Sequence, residues 1–112
     1  MRSRFKDLVA YQRAIAVADA VHRLVMEWPE IDRRTSGVQL LRSVDSIGAN
    51  IAEASGRWTK AERRRFLLTA RASLYETEHW LDRARARHLP TPDTDDLEIA
   101  AKALSGLIRR HS

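Results

Sequence analysis

The stretch Thr59–His88, TKAERRRFLLTARASLYETEHWLDRARARH, holds neither Gly nor Pro and places Leu67, Ala70, Leu74, Thr77, Leu81 and Ala84 at alternating steps of three and four. That spacing is the apolar seam used by left-handed helical bundles, and it predicts one helix about 45 Å long. Its start is marked by Thr59-Lys60-Ala61-Glu62, a capping box in which hydroxyl and carboxylate each take a free backbone N–H.

Working outward, a second helix is expected over 36–56. Ser36-Gly37-Val38-Gln39 repeats the capping-box pattern, and Leu40, Val44, Ile47, Ile51 and Ala54 form a core row. Ser43, Ser46, Gly48, Ala49, Asn50 and Ala52 line the same helix with small groups, so another backbone is expected to approach closely. Gly56 is the expected left-handed residue that closes it. A first helix over 7–28 carries two apolar rows. One is Leu8, Tyr11, Ile15, Ala18 and Val25; the other is Ala14, Val17, Val21, Leu24 and Trp28, with Pro29 as the stop. After Pro90 and Pro92, a fourth helix over 94–110 opens on Asp95, Asp96 and Glu98 and closes on Arg109 and Arg110, the charge order the helix dipole favours.

Four amphipathic helices on short connections define the expected class: all-α, an antiparallel up-and-down four-helix bundle, with residues 1–112 as a single domain. The two rows of the first helix span about half its circumference, where a bundle helix needs only about 100°. The surplus is expected to meet another subunit. Trp28, Trp58, Trp80 and Tyr75 are large amphipathic groups of the kind interfaces favour, or else caps on the ends of a small core.

Composition narrows the function. The chain has no Cys, which removes disulfides, thiolate metal sites and cysteine nucleophiles. No apolar run is long enough to span a membrane and the first residues are charged throughout, so a cytoplasmic protein is expected. The net charge is +5. A basic surface attracts polyanions, although 17 Arg against 3 Lys beside 16 Ala is also the skew of a GC-rich coding sequence.

No phosphate loop, nucleophile triad or paired carboxylate pattern is present, so the chain is expected not to be an enzyme and to need no cofactor. Glu76 and His79 have the Glu-x-x-His spacing of di-iron bundles, but the second copy such a site requires is missing. No metal is expected. His22 falls in an apolar row and reads as a satisfied core or interface group. The remaining feature is basic. Arg57, Lys60, Arg63, Arg64 and Arg65 crowd the turn before the long helix, beside Trp58, which could stack on an unpaired base. Three consecutive arginines point about 100° apart on a helix, so at most two face one strand. The competing reading is a solvated face with charge pairs such as Glu62 with Arg65. Arg83, Arg85 and Arg87 form a second splayed group at the far end of the same helix.

Several segments resemble a known family. Phe5-Lys6-Asp7-Leu8, Tyr11-Gln12, Ser46-Ile47-Gly48-Ala49-Asn50-Ile51-Ala52-Glu53, Gly56-Arg57, Arg65-Phe66-Leu67 and Ser73-Leu74-Tyr75-Glu76-Thr77-Glu78 are similar to the four-helix-bundle family of 23S ribosomal RNA intervening-sequence proteins. Ser46, Asn50, Ile51 and Glu53 carry its most specific motif, and Ala54 departs from the Gly usual after that Glu. The family is itself similar to accessory variability proteins of diversity-generating retroelements. The resemblance therefore implies a bacterial homopentamer, with RNA or DNA and a reverse transcriptase as partners. It implies no membrane partner. The expected function is a non-enzymatic, homo-oligomeric bundle that binds RNA or DNA non-specifically through basic surface, as an accessory to a reverse transcriptase or another nucleic-acid enzyme. The alternative is a protein-interaction scaffold docking on the face around Asn50 and Glu53 or on exposed Trp and Tyr.

Overall fold

A computed structural model describes residues 4–111. A 3-10 turn, Arg4–Asp7, leads into α1 (Val9–Val25), α2 (Glu30–Arg34), α3 (Ser36–Ser55), α4 (Lys60–Ala86) and α5 (Asp95–Arg110), and no strand occurs among the described residues. The four long helices pack in a ring, α1 on α3, α3 on α4, α4 on α5 and α5 on α1. Two observations fix their alternating direction. Trp28, after α1, donates its indole N–H to the Pro90 carbonyl before α5 at 2.9 Å. At the other end Leu8, Ala54, Arg63, Leu67, Leu107 and His111 line one small cavity, so the start of α1, the end of α3, the start of α4 and the end of α5 meet there.

The core is the set of rows read from the sequence. Leu40, Val44, Ile47, Ile51, Leu67, Leu74, Leu81, Leu97, Leu104 and Ile108 are buried together. Each contributes about 1.5–3 kcal/mol by leaving water. Thr77 is fully buried within this row.

The short helix α2 was not foreseen, because five residues are too few to display a period. α1 ends at Val25, three residues before Trp28, and Trp28 folds back with its N–H on the Val25 carbonyl. The Ser36 capping box does not form. α2 runs directly into α3, so Thr35 takes the cap position and its hydroxyl donates backwards to the Ile31 carbonyl at 2.6 Å. The Thr59 cap does form, with the Glu62 N–H donating to its hydroxyl at 3.1 Å. Gly56 is not left-handed but right-handed, at φ −87°. The left-handed closure belongs instead to His88, φ +60°, after α4. There Leu89 N–H bonds the Ala84 carbonyl and His88 N–H bonds the Arg85 carbonyl, both at 3.0 Å, which completes a Schellman motif.

Most of the apolar face of α1 is taken up inside the chain. α1 lies between α3 and α5 and packs on both. Tyr11 and Ile15 reach over Gly48 of α3, where an added Cβ would stand 3.0 Å from Ile15 Cδ1. The doubled row is thus used largely inside one chain. His22 is not a core group either, for it stands exposed with Nε2 3.0 Å from Asp45 Oδ2.

Candidate nucleic-acid interface

The turn between α3 and α4 is built by its own cations. Arg63 points inward and its Nη1 donates to the carbonyls of Arg57, at 3.0 Å, and Trp58, at 2.8 Å. These carbonyls follow the end of α3 and would otherwise need water. Arg63 is therefore occupied in holding the turn, and the structure separates it from the rest of the cluster. Arg57 pairs with Glu53, one turn earlier on α3. Its guanidinium also lies 4.5 Å from the Phe66 ring centre, and that of Arg65 lies 5.0 Å from the same ring. Phe66 thus gathers two arginines from opposite sides of the turn.

Lys60 is exposed and Arg64 half-buried on the adjacent strip of α4, with Arg64 Nε buried and unpartnered. Arg71, two turns further, shares the face of Arg64. Its seven-residue offset from Arg64 is legible in the sequence, outside the dense run. Trp58, at the tip between these groups, is 93% exposed. The free N–H groups of the first α4 turn add partial positive charge at the same place. The antiparallel topology brings further cations to this end of the bundle, namely Arg4 and Lys6 before α1 and Arg110 closing α5. Their separation in sequence, from 4 to 110, hides this grouping until the chain is folded.

The motif residues serve packing. Ser46 Oγ lies 2.9 Å from Ser73 Oγ of α4, and Asn50 Nδ2 donates to the Ser46 carbonyl at 2.8 Å and to its hydroxyl at 2.9 Å. Thr77 Oγ1 stands 3.1 Å from Ser43 Oγ and 2.8 Å from the Ser73 carbonyl. Together these form a polar seam along the α3–α4 contact, where small side chains let the helices close up. Ile51 is core, and Glu53 orients Arg57. Glu76 accepts the Trp80 indole N–H at 3.1 Å. Among the described residues no three His, Asp or Glu side chains converge as metal ligands.

Fold and site together define a helical bundle with one strongly basic end. The chain belongs to the 23S rRNA-intervening sequence protein family, whose model matches residues 6–110. A solved structure with the same fold is a protein of unknown function from the S23 ribosomal protein family of Bacteroides thetaiotaomicron. It is 22% identical over 91% of this chain and 94% of that one, with a TM-score of 0.60. A comparison with curated proteins gives no match. Among the described residues no helix is long and apolar enough to cross a membrane.

Proposed function

We propose that this chain is a non-enzymatic, homo-oligomeric bundle that binds single-stranded RNA or DNA at its basic end, as an accessory to a reverse transcriptase or another nucleic-acid enzyme. The observation that carries the reading is Trp58, an almost wholly exposed indole set among Arg57, Lys60, Arg64 and Arg65. An exposed aromatic face beside backbone-neutralising cations is the arrangement by which proteins hold unpaired strands without reading sequence. Arg63 is left out of the contact because its Nη1 is drawn inward to hold the turn. The accessory role and the oligomer rest on the family resemblance. The face around Asn50 and Glu53 supports a docking scaffold less well, since both side chains are engaged within the chain.

Fluorescence polarisation with a labelled single-stranded RNA tests the reading. Three phosphate contacts give a log–log salt slope of about −2, so affinity should fall about sixteenfold between about 50 and 200 mM salt. Trp58→Ala should weaken binding by about 1–3 kcal/mol. Absence of binding at the lower salt contradicts the proposal.

A further inference from the structure

At the end of the bundle away from the basic turn, the start of α3 opens onto a cavity of about 580 Å³. The first-turn N–H groups of α3 receive no side-chain cap, since Thr35 is turned back to Ile31. Ser36 lines this cavity, is only 9% exposed, and its hydroxyl has no hydrogen-bond partner. A buried hydroxyl is ordinarily satisfied, so this one marks a place that lacks its partner. Arg87, after α4, lines the same cavity and has no ion pair among the described residues. Arg34 lines it too, with Nη1 held by Glu30 at 3.0 Å, and Asp32 adds one carboxylate to the lining. Trp80 forms another wall, and its N–H is already taken by Glu76, which leaves the ring itself for contact.

We propose that this cavity binds a nucleotide through a single phosphate. The phosphate accepts from the Ser36 N–H, the Ser36 hydroxyl and the Arg87 guanidinium, the Val38 N–H being already bonded to the Thr35 carbonyl, and the base lies against Trp80. Two arginines offset by Asp32 and by the Glu30 pair suit one phosphate and disfavour a polyphosphate. The volume is in the range of small-molecule sites. The site stands apart from the basic turn, at the opposite end of α4, and each of the two readings can fail without the other.

The test is an amide and indole nuclear magnetic resonance titration at constant ionic strength with uridine monophosphate, inorganic phosphate, and a short oligouridylate with and without a 5′-phosphate. Uridine monophosphate should move the Ser36 and Gly37 amides and the Trp80 indole N–H saturably while the Trp58 indole stays in place. Inorganic phosphate should move the two amides at higher concentration and leave Trp80 unmoved. Arg87→Ala should weaken uridine monophosphate about tenfold. Ser36→Ala, which keeps the backbone donors and the fold, should weaken it less. A tighter response to the 5′-phosphorylated oligonucleotide than to the mononucleotide assigns the site to a strand end, and the reverse order assigns it to a free nucleotide; both support the site. No saturable shift at Ser36 and Gly37 at millimolar mononucleotide, equal affinity in Arg87→Ala, or inorganic phosphate binding as tightly as the nucleotide overturns the proposal.

Discussion

His88 holds a left-handed backbone that L residues adopt at a cost of about 1–2 kcal/mol, so His88→Gly should raise the unfolding free energy by about 1 kcal/mol in denaturant titration. The two glycines bounding α3 should behave oppositely under the same measurement. At Gly56 the backbone is right-handed and an added Cβ meets only the Glu53 carbonyl at 3.6 Å, so Gly56→Ala should be neutral or stabilising by about 0.5 kcal/mol. At Gly37 the Cβ would stand 3.1 Å from both the Asp32 carbonyl and Val25 Cγ1, and Gly37→Ala should cost about 1–3 kcal/mol. Residue-scale detail was the least legible part of the sequence. Ser36…Gln39 satisfies the capping pattern, but Thr35 beside it is an equally good cap, and only the presence of α2 decides between them. Gly56 looked like the closing residue because glycine favours that role, whereas a histidine took it one helix later. The Arg63 side chain reads as one cation among five, and its inward turn is set by two backbone carbonyls that no sequence pattern announces.

At the scale of elements, α3 and α4 are joined by hydroxyls as well as by the apolar rows. Thr77→Val keeps the shape of the fully buried side chain but removes the hydroxyl that links Ser43 to the Ser73 carbonyl, and should lower stability by about 1–2 kcal/mol. A double-mutant cycle with Ser43→Ala should show coupling, because the two share one hydrogen-bond chain. The four long helices were legible because each repeats its apolar spacing over several turns, and the small-residue face of α3 correctly foretold a close neighbour. Which neighbour it was could not be read. Periodicity shows that a face is buried without showing by what, and the same gap explains α1. Its two rows looked surplus to one bundle, yet a helix wedged between α3 and α5 buries most of both, with Ile15 left open.

For the whole molecule, folding changes the meaning of the charge. Cations dispersed along the chain, Arg4, Lys6, Arg57, Lys60, Arg64, Arg65 and Arg110, come to one end of a bundle 44 Å long. Val9, Ile15 and Ile99 remain open on its sides, at 50%, 36% and 37% exposure. If these are covered by copies of the chain in a pentamer, light scattering should give about 64 kDa, five times the 12.8 kDa of one chain, whereas a mass of one chain excludes the ring. The central claim, that the basic turn carries nucleic acid on some of its cations and holds itself together with another, is tested most directly by comparing two variants for both RNA affinity and thermal stability. Lys60→Ala/Arg64→Ala/Arg65→Ala should bind labelled single-stranded RNA at least about tenfold more weakly at low salt, with a melting temperature close to that of the natural chain. Arg63→Ala should instead lose about 1–2 kcal/mol of stability. A triple variant that binds RNA as tightly as the natural chain contradicts the account.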